Sequence, residues 1–143
     1  VAGRRCILGG VEIPSELGPE GHSDGDVVLH ALADALLGTA AAGDLGSVFG
    51  TTAPEWKDAH SSRLVTEALA RAGSPTVLNV DVTLVAERPR VGPHREAMRA
   101  VIAGLLGVPV ERVSVKASSG NGMTGFGRGE GVFASAVVLV EVP

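Results

Sequence analysis

The sequence predicts an α/β fold of the α+β kind: a single domain with a mixed sheet and helices packed on one face. Three observations carry this expectation. Apolar residues recur at helical spacing in three segments, apolar and polar residues alternate with period two in others, and the two kinds of segment are interleaved along the chain. The chain has 143 residues, 45% of them hydrophobic, and no linker, repeat or low-complexity segment divides it, so residues 1–143 are read as one domain. Aromatic residues make up 3%, so the core must come from Val, Leu, Ile and Ala.

Taken in order, Cys6-Ile7-Leu8 and Val11-Glu12-Ile13 flank Gly9-Gly10, the pattern of a short hairpin. A loop follows to Gly21. Ser23 then reads as the N-cap of a helix, with Asp26 as its capping-box partner, a stripe of Val28, Leu32, Ala35, Leu36 and Thr39, and Gly43 as the stop. A second helix runs from near Ser61 to Gly73 on Leu64, Val65, Ala68, Leu69 and Ala72. From Val77 to Ala86 the period drops to two, placing Leu78, Val80, Val82 and Leu84 on one face. Pro93 fits the first turn of a third helix carrying Ala97, Met98, Val101, Ile102 and Leu105, which Gly107 closes. Val113, Val115 and Ala117 alternate as a strand. The last strand, Val132 to Val142, is apolar on both faces and is therefore expected centrally in the sheet. With helices on one side, the other sheet face needs cover, which self-association would supply.

A net charge of −4 without any block of Lys or Arg argues against nucleic acid and against an anionic membrane surface as partners. The nearest basic cluster, Arg88-Pro89-Arg90 with His94 and Arg95, suits one phosphate group. Cys6 is the only cysteine, so nothing signals an oxidising compartment. No apolar run approaches the ~20 residues of a membrane span. The chain opens on Val1, not Met, and further N-terminal residues are expected to precede it.

Three constellations bear on chemistry. His22 stands before the first helix, and Asp26, His30 and Asp34 follow at four-residue steps along one stripe of it. His30 is either an ordinary helix histidine paired with an acid or one ligand of a divalent metal, whose other ligands must then come from elsewhere. His22, at a helix N-terminus, is placed either as a loop residue or as an anion contact. The second is the span from Lys116 to Gly131. Its six glycines let a ligand approach the backbone, Ser118 and Ser119 offer hydroxyls, and Lys116 and Arg128 offer charge, so it is read either as a phosphate contact or as a long flexible hairpin. The third is Ala86 to His94, a strand-to-helix loop with two Arg residues that is read either as a solvated surface or as an anion contact. In Gly43-Asp44-Leu45-Gly46, Asp44 is either structural, in an Asx turn, or an acceptor for a ligand hydroxyl.

The segments His22-Ser23-Asp24-Gly25-Asp26-Val27-Val28-Leu29-His30, continuing through Ala31 to Gly38 and Gly43-Asp44-Leu45-Gly46, Leu8 to Pro14, Asn79 to Thr83, Pro89-Arg90 with Pro93-His94, and Gly127-Arg128-Gly129-Glu130-Gly131 keep one order from end to end of the chain. In them the sequence resembles the 2-C-methyl-D-erythritol 2,4-cyclodiphosphate synthase family of the non-mevalonate isoprenoid pathway. The resemblance implies a homotrimer whose sheet faces meet around the trimer axis, with active sites between subunits. It also implies conversion of 4-diphosphocytidyl-2-C-methyl-D-erythritol 2-phosphate into the cyclic diphosphate and CMP, a phosphorus–oxygen lyase reaction. The bacterial cytoplasm, or the plastid stroma in a plant, is the implied compartment. By position, His30 would ligate zinc or another divalent transition metal, and His22 and Ser23 would hold the erythritol phosphate region, with His22 and Ser119 catalytic. Asp44, Leu45 and Gly46 would contact the methylerythritol hydroxyls. Phe49, Ala86, Arg88, Pro89, Arg90, Val91, Gly92, Ser118, Ser119, Asn121, Gly125 and Arg128 would line the rest of the substrate, and magnesium or manganese would accompany the diphosphate.

Three departures from the family pattern stand out. A Gly-x-Asp-x-His segment bearing two further zinc ligands has no equivalent within the sequence. Ser118-Ser119-Gly120-Asn121 stands where the family has Thr-Thr-x-Glu, so Asn121 puts a neutral carbonyl where a carboxylate would grip the second metal. Phe49-Gly50-Thr51-Thr52-Ala53 replaces Phe-Pro-Asp-x-Asp. These departures keep two other readings open: a catalytically weak trimeric protein binding a nucleotide or an isoprenoid diphosphate on the same fold, and a related cyclisation of a different nucleotide-linked substrate.

Overall fold

A computed structural model describes residues 6–14, 25–50, 60–86, 90–119 and 132–142. Strands β1 (Cys6–Leu8) and β2 (Val11–Ile13) form an antiparallel hairpin, followed by helices α1 (Val27–Thr39), α2 (Leu45–Phe49) and α3 (Ser61–Arg71). Strand β3 (Thr76–Val85), helix α4 (Arg95–Leu106), strand β4 (Val113–Ser118) and strand β5 (Phe133–Glu141) complete the chain. The main sheet has the order β4-β3-β5, with β3 parallel to β4 and antiparallel to β5. It is the mixed sheet that the sequence predicts.

The hairpin turn is tight because Gly9 and Gly10 both take positive φ, 59° and 77°. It also lies against α4. A Cβ on Gly9 would stand 2.8 Å from Met98 Cγ, and one on Gly10 2.5 Å from Val101 Cγ1. The turn's two N–H groups point away from the strands, to one carboxylate. Asp26 Oδ1 accepts from Gly9 N–H at 2.9 Å and Oδ2 from Gly10 N–H at 2.7 Å. Oδ1 also accepts from Leu29 N–H at 3.0 Å, so Asp26 is the N-cap of α1. This corrects the sequence reading, which gave the cap to Ser23 and made Asp26 its partner. Ser23 lies outside the described residues.

Helix α1 buries Val28, Leu29, Leu32, Ala33, Leu36 and Leu37. The band is wider than the stripe expected, and Ala35 and Thr39 lie at its half-buried edge. The helix stops at Thr39, with Ala41 at positive φ, and Gly43, expected beyond its end, also takes positive φ. It packs on α3 and β5, while α4 packs on β4. On α4, Met98, Ile102, Ala103 and Leu106 are buried, and Ala97, expected on that side, is exposed. Pro93 sits in a 3-10 turn, Gly92–His94, just ahead of the helix, and Gly107 ends it in the left-handed conformation. Arg99 ties α4 to the start of β4 through Val113 O at 2.7 Å and Val110 O at 3.0 Å.

The register sorts the sheet into two faces. Val80, Val82 and Leu84 lie level with Val113, Val115 and Ala117 on β4 and with Val138, Ala136 and Ala134 on β5, facing the helices. At the start of β3 an irregularity between Val77 and Asn79 changes the phase, so Val77 is buried and Leu78, expected in its place, is not. The opposite face carries Asp81 and Thr83 beside Ser114, Lys116, Ser135 and Val137. Strand β5 is not central but an edge of the described sheet, and its apolar outer face is open, with Val137 68% and Leu139 60% exposed. Its two-sided apolarity reflects a face without cover in the single subunit, which a central position in one sheet and an interface at its edge satisfy equally.

Replacing Asp26 by Ala leaves buried N–H groups of two elements unsatisfied, and hydrogen bonds to a charged group contribute about 1.5–3 kcal/mol each. Asp26→Ala should therefore lower unfolding free energy in urea by about 3 kcal/mol or more, and Asp26→Asn by less, because it keeps one acceptor oxygen. A loss under about 1 kcal/mol would show that the carboxylate does not join the hairpin to α1.

Candidate functional site

Two groups of the predicted residues are assembled by neighbouring elements. The first lies on α1, α2 and α3. His30 occupies the first turn of α1, four residues after the buried Asp26 cap, and its backbone N–H donates to Asp26 O at 3.0 Å. Its imidazole is half-buried, with Nε2 2.9 Å from the hydroxyl of Ser61, the fully buried first residue of α3. Sequence reasoning took Ser61 only as a helix start. The two residues lie 31 positions apart, and no spacing rule links them.

One turn beyond His30, Asp34 Oδ1 accepts from Leu45 N–H at 2.8 Å, which fixes the start of α2 beside α1. Asp44 does not sit in a helix-ending turn but begins this short helix with a reciprocal cap. Its Oδ1 accepts from Ser47 N–H at 2.8 Å, and its own N–H donates to Ser47 Oγ at 3.0 Å. The Ser47 backbone N–H, followed by the Ser47 hydroxyl, holds the exposed Asp44 carboxyl below its ordinary value. An ionised, oriented acceptor results, with the exposed Gly46 beside it. Phe49 ends α2 as a buried residue, its ring 5.4 Å from the Arg71 guanidinium, and so packs α2 towards α3.

The second group lies at the carboxyl ends of the parallel pair β3 and β4. The ladder runs out at Val85 opposite Ser118, and Ala86 N–H donates to Ser118 O at 2.9 Å. The loop after β3 and the loop after β4 thus leave the sheet side by side, where open α/β sheets bind ligands. Ser118 and Ser119 are exposed there, and Ala86 is buried behind them. Across the first loop, Val91 is anchored in the core and Arg90 and Gly92 are exposed at the approach to α4. Lys116, read as a phosphate contact, instead points along the open sheet face and binds Asp81 Oδ2 at 2.9 Å. That hydrogen bond is the main cause of Asp81's lowered pKa.

His22, Ser23, Arg88, Pro89, Asn121, Gly125 and Arg128 lie outside the described residues. Among the described residues no group of three or more His, Cys, Asp or Glu side chains could hold a metal, so a metal at His30 would need further ligands from beyond them. The donor set of His30 is compatible with such a metal. Metal-binding histidines usually have their second ring nitrogen held by a polar partner, and Ser61 stands in that relation to His30. No described helix is long and apolar enough to cross a membrane.

The profile of the YgbB family matches residues 1–141. The 2-C-methyl-D-erythritol 2,4-cyclodiphosphate synthase of Symbiobacterium thermophilum is 52% identical over 143 residues, covering 98% of this chain and 90% of that relative. A solved 2C-methyl-D-erythritol-2,4-cyclodiphosphate synthase superposes with a TM-score of 0.85 at 38% identity, over 99% of this chain and 93% of that one. A second, described as the form bound to CDP, gives a TM-score of 0.83 at 36% identity, over 99% and 93% of the two chains.

Because Asp44's folded pKa lies below its unfolded value, the stability it contributes is fully present above the unfolded pKa and is lost as pH falls through the folded one. In an NMR titration the Ser47 amide should follow Asp44 with a midpoint below the ordinary 3.8. That amide response should vanish in Asp44→Asn. A midpoint at or above 3.8 would show that the cap does not form in solution.

Proposed function

The chain belongs to the YgbB family, and on that footing we propose that it converts 4-diphosphocytidyl-2-C-methyl-D-erythritol 2-phosphate into 2-C-methyl-D-erythritol 2,4-cyclodiphosphate with release of CMP, in the non-mevalonate isoprenoid pathway. The observation that carries the proposal is end-to-end similarity to a synthase, 52% identity across 98% of the chain. The reaction is an intramolecular phosphoryl transfer. The 2-phosphate oxygen forms a bond to the β-phosphorus, the bond from that phosphorus to the CMP oxygen breaks, and CMP leaves with the electron pair. No covalent enzyme intermediate is needed, so the chain's task is to position the two phosphates and neutralise their charge.

Each described group has a part in this. The ionised Asp44 carboxylate, with Leu45 and Gly46, accepts from the methylerythritol hydroxyls, its orientation set by Ser47. Ser118 and Ser119, at the end of β4, offer hydroxyls to the diphosphate, with Ser119 as the catalytic donor. Ala86, Arg90, Val91 and Gly92 form the adjoining wall, which takes the cytidine part. His30 is one ligand of zinc or a similar divalent metal, and the set is completed by groups other than the described ones. When bound, that metal, with magnesium or manganese on the diphosphate, supplies positive charge to the phosphate oxygens. His22, Ser23, Phe49, Arg88, Pro89, Asn121, Gly125 and Arg128 keep the substrate roles that the resemblance implies, and the cytoplasm, or a plastid stroma, is the compartment.

The open sheet face supports the trimer reading. Val137 and Leu139 are too exposed and too apolar for an isolated subunit, and facing copies around a three-fold axis would bury them. Val137→Glu should shift the protein from trimer to monomer in sedimentation velocity and lower CMP release with it, since the sites lie between subunits. A trimer unchanged by the substitution would place the interface elsewhere.

The activity itself is tested by CMP release from the purified natural protein with zinc and magnesium. Release should proceed with the wild type and fall more than about 100-fold in His30→Ala, since loss even of a metal ligand's supporting group costs 10–100-fold. A folded, metal-loaded trimer that releases no CMP would favour the weak binding protein instead, a reading that Asn121 in place of a carboxylate keeps open.

A further inference from the structure

We infer that Ser61 is a positioning residue for the metal site: its buried hydroxyl holds Nε2 of His30, so that the imidazole presents Nδ1 to the metal. The inference rests on the reading of His30 as a metal ligand. Ser61 has no exposed surface, and its Oγ stands 2.9 Å from Nε2, within hydrogen-bonding distance. A hydroxyl buried at that depth is costly unless bonded. α1 and α3 pack directly on each other, so the pair is held by two rigid helices, not by a loop.

Distance decides which nitrogen is available to a metal. Zinc sits about 2.0–2.1 Å from a ligating nitrogen, along its lone pair. At Nε2 that position falls between the nitrogen and a hydroxyl oxygen 2.9 Å away, leaving the metal far inside the oxygen's contact distance. Metal at Nε2 and Ser61 in its observed place therefore exclude each other. The arrangement compatible with both has a proton on Nε2, donated to Ser61 Oγ, and the Nδ1 lone pair directed to the metal. A second partner of this kind fixes the tautomer before the metal arrives.

The test uses the full natural chain, with the His30 ring nitrogens read by long-range 1H–15N NMR and identified by their loss in His30→Ala. Zinc affinity is read separately by competition with a chromophoric chelator. The wild type without metal should show the Nε2–H tautomer, and zinc should shift Nδ1 more than Nε2. Ser61→Ala should mix the tautomers and weaken zinc binding about 10–100-fold, and Ser61→Thr, which keeps the hydroxyl, should restore both. An Nδ1–H tautomer in the wild type overturns the inference, and this readout needs no variant at position 61 to fold. So does a folded Ser61→Ala protein with unchanged tautomer and zinc affinity, when His30→Ala abolishes zinc binding. If His30→Ala leaves zinc affinity unchanged, the metal reading itself fails and the inference goes with it.

Discussion

One carboxylate holds together the parts on which the rest of the molecule depends. Asp26 accepts from the two N–H groups of the Gly9-Gly10 turn and from the first turn of α1, while fully buried. A buried charge is tolerable only with such partners, and here the partners belong to two elements otherwise distant in sequence. The consequence is geometric. The start of α1 cannot rotate without breaking the turn, the turn is wedged against Met98 and Val101 of α4, and His30 sits one turn further along the helix so fixed. The same charge helps burial to raise the Cys6 thiol, keeping that cysteine protonated and inert.

From this anchor the site builds outward in short steps. Asp34 holds α2 by the N–H of Leu45, Ser47 orients Asp44, and Ser61 reaches across from α3 to His30. Each polar residue on this flank thus restrains a neighbouring element. The second flank is made differently, by the ends of two parallel strands, and there backbone pairing of Ala86 with Ser118 sets the geometry. The candidate residues are thus divided between helix termini on one flank and strand ends on the other.

Periodicity made much of the fold legible. The three long helices and the strands appear where their apolar spacing puts them, because burial on one face writes itself into sequence at period 3.6 or 2. What escaped has definite causes. The short α2 contains too few residues for a period, and its signal, Asp44 with Ser47, is a capping box spaced like any Asx turn. The irregularity after Val77 exchanges the roles of Val77 and Leu78, which are equally apolar, so nothing in composition marks it. The apolar outer face of β5 read as a central strand because burial by sheet neighbours and burial by another subunit leave the same pattern. The family pattern singles out His30, Asp44 and Ser118 as candidates but not Ser61, whose contact with His30 forms between two helices.

The proposed reaction closes a ring between two phosphates of one substrate. The most direct measurement is 31P NMR of 4-diphosphocytidyl-2-C-methyl-D-erythritol 2-phosphate incubated with the natural protein, zinc and magnesium. The substrate resonances should give way to the coupled pair of a cyclic diphosphate together with the single resonance of CMP. Substrate that persists unchanged, or that yields CMP with a linear bisphosphate, would contradict it.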